Sequence, residues 1–226
     1  MGILIAVDGV DSSGKQTQTE LLRKRLKSDG VNIRAVSFPV YDSPSSSLIK
    51  MYLDGEFGTN PDDVNAYTAS AFFALDRFAS YKTDWGADYN GGAVILADRY
   101  TTSNMIHQAG KIDDLSEKKK FIDWVYDFEY NICGLPKPDI TIFLDMPPEY
   151  GIRLMENRAN KIDGTDVKDI HERNREYLQK SYDNAVFVAE SYGWKRIVCA
   201  ENGAVRSIED INDEVYSAVK AVLTDI

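Results

Sequence analysis

A run near the amino terminus, Gly9-Val10-Asp11-Ser12-Ser13-Gly14-Lys15, has the spacing G-x-x-x-x-G-K. That spacing suits a loop that cradles phosphate. Glycines let the backbone curl until successive N–H groups point inward at anionic oxygens. A helix starting at Gly14 adds the positive end of its dipole. The Lys15 ammonium supplies a point charge for the β- and γ-phosphates of a nucleotide. The next position departs from the motif. A Ser or Thr is expected there as a Mg²⁺ ligand, whereas the chain has Gln16 and then Thr17. One helical step turns a side chain by about 100°, so Thr17 does not replace the missing hydroxyl. Either the Gln16 amide oxygen or a water takes that place, or carboxylates elsewhere hold the metal.

Other residues could join this chemistry. Asp98-Arg99-Tyr100 follows the apolar run 93–97. Adjacent opposite charges at a strand end read either as a structural ion pair or, beside a phosphate loop, as metal and phosphate chemistry. Phe38-Pro39-Val40-Tyr41 follows another apolar stretch, and the proline must end any strand there. Phe73 and Arg77 stand four apart, off the helical stripe Val64, Tyr67, Ala71, Leu75 and Phe78. They read as a half-buried ring with a solvated cation, or as an aromatic plane and guanidinium serving a ligand. Residues 158–168 are polar, contain Gly164 and lose all apolar period, which suggests a short lid.

The elements that must position these residues alternate. Residues 3–7 form a β-branched apolar run, the pattern of a buried parallel strand. Further strands are expected over 31–37, 93–97, 139–144 and 196–199. Helices are expected over 14–28, through Lys50 and Leu53 after a cap in the polar stretch 42–47, over 61–82, from Thr101 through Gln108, over 115–132, 149–157 and 169–192, and from the cap Ser207 to about 223. Trp124, Val125, Phe128 and Ile132 mark the apolar side of the 115–132 helix. Strands alternating with helices predict a three-layer α/β/α fold on a five-stranded parallel sheet, as one domain over 1–226 with a lid at about 158–168. In such sheets ligands sit at the carboxyl ends of strands, where Asp98 and Phe38 fall.

Composition narrows the functional classes. The chain has 226 residues, 43% hydrophobic and 27% charged, with a net charge of −10. An acidic surface repels polyphosphate, so nucleic acid is not an expected partner. No apolar run approaches the ~20 residues needed to cross a bilayer. The first strand begins at once, leaving no room for a signal peptide, and Ala6 stands where a myristoylation signal wants Ser or Thr. Cys133 and Cys199 have no metal-type spacing and read as reduced thiols. A cytoplasmic protein with no membrane attachment is the expectation.

Taken in order, the P-loop, Phe38-Pro39, Phe73-Ala-Leu-Asp-Arg77, Asp98-Arg99-Tyr100-x-x-Ser103-Asn104, Leu144-Asp145-Met-Pro-Pro-Glu149 and the arginine-containing lid resemble the thymidylate kinase family over almost the whole chain. The resemblance implies a P-loop nucleoside monophosphate kinase, commonly a homodimer. Its reaction moves the γ-phosphoryl group of ATP to dTMP with Mg²⁺, giving dTDP. It also implies roles for single residues. Lys15 and the loop 9–17 hold the donor phosphates, and Asp11 reaches toward the deoxyribose 3′-hydroxyl. Phe73 stacks on thymine, and Arg77 and Asn104 bond its edge. Arg99 clamps the acceptor phosphate, with Phe38, Tyr41 and Ser103 in the same subsite. Asp98, with Asp11, is metal-associated. Arg158 and Lys161 are lid cations over the phosphates, with Asp169 and Glu172 as flanking acids.

Three positions depart from the family pattern: Gln16 at the metal, Tyr41 near where many members have an acceptor-phosphate arginine, and His107 where the pattern has Tyr beside the sugar. His107 either meets the sugar, with selectivity then varying between about pH 6 and 8, or only packs under its helix. Two other readings stand beside this one: a kinase of another deoxynucleoside monophosphate or of a nucleoside, and a non-catalytic nucleotide-binding regulator.

Overall fold

The computed structural model describes residues 1–155 and 170–224. Its centre is a parallel sheet of β1 (Ile3–Asp8), β2 (Ile33–Ser37), β3 (Val94–Asp98), β4 (Ile140–Asp145) and β5 (Lys195–Val198), in the order β2-β3-β1-β4-β5. Val7 pairs with Asp98 and Asp8 with Phe143, so β1, β3 and β4 end together. The chain departs from β1 toward one edge and later crosses to the other. The carboxyl ends beside β1 are therefore where a crevice opens.

Alternation along the strands builds the layers. Ile5, Val7, Val94, Leu96, Ile142 and Leu144 face one side. There they meet Leu22 and Leu26 of α1 (Lys15–Ser28) and Ile211, Val215 and Val219 of α10 (Ile208–Thr224). Those spacings of four keep each apolar stripe on one helix face. Leu4, Ala6, Ile95 and Ala97 face the other side, against Trp85, Tyr89, Tyr100 and Tyr130. The three-layer α/β/α architecture is thus as expected, and Ser207 caps α10, its Oγ accepting the Asp210 N–H at 3.1 Å.

Several elements differ from the periodicity. Residues 61–82 are not one helix. A 3₁₀ turn, Pro61–Asp63, precedes α3 (Ala66–Ser80), which then runs through a π-turn, Tyr81–Trp85, into α4 (Gly86–Asn90). Asn65 sets the true start, its Oδ1 accepting the Thr68 N–H at 2.9 Å. The expected stripe is also wrong: Tyr67 is 41% and Leu75 50% exposed, while Ala66, Ala69, Ser70, Ala74, Asp76 and Arg77 are buried. Small residues allow close helix approach, and the buried charges have partners only on the inner side.

The helix after α5 (Thr101–His107) shows the same effect. α6 (Leu115–Tyr126) passes into a π-turn, Asp127–Ile132. Phe121, Ile122, Val125, Glu129 and Tyr130 are buried, and Ile132 is 69% exposed. The wider turn shifts the helical phase, which a fixed 3.6 period cannot follow. The expected helix over 169–192 is broken into α8 (Ile170–Arg173) and α9 (Arg175–Ser191), because Asn174 caps the second piece through the Tyr177 N–H at 3.0 Å. α2 (Ser47–Asp54) and α7 (Pro148–Met155) lie about where expected. A small hairpin of β6 (Ala200–Glu201) and β7 (Ala204–Val205) follows β5 and was not anticipated.

Two substitutions test this account of the core. Leu26→Ala should lower the unfolding free energy by about 2–5 kcal/mol, the cost of a buried cavity. Ala74→Leu should lower it by about 1–3 kcal/mol through overpacking. Urea unfolding at one protein concentration measures both. An Ala74→Leu protein as stable as the parent would mean that α3 does not turn this face inward.

Candidate active site

β1 delivers the phosphate loop at its carboxyl end. Gly9 has φ +156°, and a Cβ there would lie 2.7 Å from Ser13 Oγ and 2.8 Å from the Leu144 carbonyl, so no side chain fits. Gly14 caps α1 in the left-handed region at φ +86°. Lys15 is buried, its Nζ donating to the carbonyls of Gly9 (2.9 Å) and Val10 (2.6 Å) and lying 3.4 Å from Ser13 Oγ. Ser12, Ser13, Gly14, Lys15, Gln16 and Thr17 line one cleft. Its far wall is Val205, Arg206 and Ile208, from the unforeseen hairpin and the start of α10. Arg206 is held there by the Val198 carbonyl (2.7 Å) and Glu214 (2.8 Å). Gln16 and Thr17 are both exposed.

Asp8 is fully buried and was missed in the sequence, where it only links the strand 3–7 to the phosphate loop. Its carboxylate accepts the Gly9 N–H (2.9 Å), the Thr102 hydroxyl (2.7 Å) and the Ser103 hydroxyl (2.8 Å). It thereby joins the phosphate loop to the start of α5. Arg99 stands over this junction with φ +67°. Its Nη2 donates to Asp11, and its Nη1 to His107 Nε2 at 3.0 Å. Burial pushes the Asp11 carboxyl up, but the charges of Arg99 first and then Lys15 hold it far below the usual carboxylate range. Burial opposes the charge on Arg99 as well, and Asp11, Asp8 and Asp98 raise its pKa above the ordinary value.

A second cleft of about 580 Å³ opens beside this pair. Asp11, Arg99, Tyr41, Ser103 and His107 line one part of it, and Phe38, Phe73, Arg77 and Asn104 another. All nine are residues that the sequence singled out for an acceptor nucleotide. The loop bearing Phe38 and Tyr41 is tied to α3 by the buried Asp76, which accepts the Val40 N–H (2.8 Å) and the Ser45 hydroxyl (2.5 Å). The Phe38–Pro39 peptide is cis.

The reading of Arg77 as a solvated cation is overturned. Arg77 is 1% exposed and forms a two-point pair with Glu129, Nε to Oε2 at 2.7 Å and Nη2 to Oε1 at 2.6 Å. Glu129 had no signal in the sequence because it falls in the re-phased π-turn.

His107 does line the cleft, so it is not merely packed beneath its helix. Arginine can only donate, so His107 Nε2 must accept, which leaves the ring neutral with its proton on Nδ1. Burial, then Arg99, holds its pKa well below the ordinary value. The expected titration between pH 6 and 8 is therefore corrected. The His171 ring lies nearly parallel to His107, with centroids 6.4 Å apart, and its Nε2 is 2.8 Å from Tyr52 Oη. Burial likewise lowers His171, to about 3.

Among the described residues no group of three or more His, Cys, Asp or Glu could hold a metal ion. Magnesium bound chiefly by phosphates and waters needs only one or two carboxylates. Asp98, buried at the end of β3 beside the phosphate loop, fits that demand. Asp11 is paired with Arg99 on the acceptor side. Arg158, Lys161 and Asp169 lie outside the described residues, and Glu172 falls in α8.

Comparison with known proteins agrees with this geometry. The family model described as thymidylate kinase matches residues 7–213. A thymidylate kinase of Mycobacterium tuberculosis (strain H37Rv) is 31% identical over 85% of this chain and 87% of its own length. One from Halothermothrix orenii is 28% identical over 98% of both chains, and one from Plasmodium falciparum is 26% identical over 98% of this chain and 91% of its own. With a phosphate loop and a second cleft meeting at Asp8 and Arg99, and a family match over nearly its whole length, the chain belongs to the thymidylate kinase family.

Proposed function

We propose that this protein transfers the γ-phosphoryl group of ATP to dTMP, giving dTDP, as a Mg²⁺-dependent cytoplasmic homodimer. The observation that carries the reading is the meeting of two clefts at one buried junction, Asp8 with Arg99 and Asp11. Phosphoryl transfer asks a protein for alignment and charge neutralisation, with little covalent work. The loop 9–17 holds the donor phosphates, and Lys15 exchanges its contacts with the Gly9 and Val10 carbonyls for phosphate oxygens. Arg99 faces the acceptor phosphate, and Tyr41 offers a hydroxyl where other members carry an arginine. Asp11 orients Arg99 and meets the sugar, with His107 behind it. Phe73 provides the plane for the base, and Arg77 and Asn104 address its edge.

Magnesium would be held by Asp98 and the nucleotide phosphates, where it neutralises charge on the transferring group. A short lid at about 158–168, with Arg158 as its cation and Lys161 beside it, completes the assignment on the resemblance alone. The chain is read as one P-loop kinase domain over 1–226. ADP formation measured over a panel of deoxynucleoside monophosphates, with and without Mg²⁺, tests the activity. Activity confined to an acceptor other than dTMP would replace this reading.

The homodimer is supported by an apolar strip on the outer side of α3, α6 and the π-turn that follows it. Tyr67, Leu75 and Ile132 are exposed along it, and Tyr67 meets Trp124 edge-on at 4.9 Å. No helix among the described residues is long and apolar enough to cross a membrane.

Three outcomes follow from these assignments. Lys15→Ala should keep its melting temperature within a few degrees and lose about 10²–10³-fold in kcat, as when one charge-stabilising donor is removed. Near-normal turnover would remove Lys15 from the donor site. Leu75→Glu should shift the protein toward monomer in sedimentation equilibrium, and an unchanged mass would exclude this strip as the dimer surface. Since His107 stays neutral well below its ordinary pKa, the ratio of kcat/KM for dTMP to that for its ribo analogue should stay constant from pH 6 to 8. A ratio that changes through this range in the wild type, but not in His107→Tyr, would show that the ring does titrate there.

A further inference from the structure

Behind the base end of the acceptor cleft lies a buried carboxylate that none of these assignments uses. Glu129 is fully buried. Its Oε1 accepts from Arg77 Nη2 (2.6 Å) and Asn104 Nδ2 (2.8 Å). Its Oε2 accepts from Arg77 Nε (2.7 Å) and the Thr101 hydroxyl (2.8 Å). Asn104 Nδ2 also donates to the Ser70 carbonyl at 3.2 Å.

These contacts settle which way two side chains present themselves. An amide nitrogen has two hydrogens, and here both go to groups that can only accept. The Asn104 amide therefore cannot be flipped, and its Oδ1, an acceptor, is the end left for a ligand. Arg77 spends Nε and Nη2 on Glu129, while Nη1, a donor, makes no hydrogen bond among the described residues. Both residues line the cleft beside Phe73. The cleft so offers one donor and one acceptor to the edge of a ring lying against Phe73.

We infer that Glu129 is a specificity-determining positioning residue: it fixes this donor–acceptor polarity and thereby selects a pyrimidine with an imide edge over cytosine. The inference rests on the reading that a pyrimidine deoxynucleotide is the acceptor. Thymine presents a C4 carbonyl to the Arg77 donor and an N3–H to the Asn104 acceptor. Cytosine presents an amino group to the donor and a bare N3 to the acceptor, so both contacts become repulsive and both protein groups lose their partner. Uracil has the same edge as thymine, so this device does not separate those two. Without Glu129 only the Ser70 carbonyl, at 3.2 Å, still orients the amide and nothing holds the guanidinium, so the polarity is weakened.

The test is equilibrium binding by calorimetry, without catalysis, of dTMP and of 5-methyl-dCMP, which differ only at the recognised edge. The wild type should bind 5-methyl-dCMP at least about 100-fold more weakly than dTMP. Glu129→Gln keeps the shape but puts an N–H where Arg77 or Asn104 donates, and should narrow that ratio at least about tenfold. Glu129→Asp keeps the charge opposite Arg77 but withdraws it by one methylene, and should narrow the ratio less. It carries the comparison if the first variant does not fold. ATP binding at the phosphate loop reports folding in each case. A folded variant that binds both nucleotides more weakly but in the wild-type ratio would make Glu129 merely structural and overturn the inference. A wild type that binds both alike would overturn it while leaving the acceptor assignment in place. A wild type that binds no dTMP would remove that assignment and this inference with it.

Discussion

One buried carboxylate, Asp8, joins the two halves of the site. An unpaired charge in an apolar interior is costly, so Asp8 must gather donors around it. It gathers them from two directions: the first N–H of the phosphate loop and two hydroxyls from the first turn of α5. The position of the phosphate loop is thereby tied to the helix that lines the second cleft. Arg99 completes the arrangement at 3.9 Å from Asp8, in a left-handed backbone conformation that turns its side chain over the junction. Because β1 and β3 end in register, these contacts follow from the sheet itself.

The acceptor cleft repeats this economy. Asp76 holds the Phe38 loop to α3, and Glu129 holds Arg77 and Asn104. Each is a buried acid surrounded by donors, and each stands behind residues that face the cleft. Such groups resist displacement, since breaking one contact leaves a charge without compensation. The side chains that these acids hold, Arg77 and Asn104 among them, are consequently fixed in orientation in the cleft wall. Its histidines are kept neutral by burial, so proton exchange with solvent does not disturb it near neutral pH.

Much of this was legible in the chain. The strands carry compact β-branched runs, and the phosphate loop has a spacing dictated by backbone geometry, so both could be read locally. The acceptor residues Phe73, Arg77, Arg99 and Asn104 were reached through motif order, and the structure brings them to one cleft. The supporting residues were not legible. Asp8, Asp76 and Glu129 act through partners 94, 36 and 52 positions away. Periodicity failed on α3 because its inner face is built of alanines and buried charge, while the larger Tyr67 and Leu75 look outward. Arg206 was missed because its hairpin is two residues per strand, too short to leave a pattern. Hydrophobic period reports where oil goes, and these positions are set by where charge must be answered.

The π-turn at the end of α6 bears on how this chain tolerates change in length. A turn of this kind holds one residue more than an α-turn, and so acts as slack stored in the helix. A residue deleted at Asp127 or Phe128 can be absorbed by drawing that turn tight, whereas one deleted earlier in α6 re-phases the buried Phe121, Ile122 and Val125. The slack thus lies at the turn itself, between a stretch of helix whose register its buried face fixes and the buried Glu129.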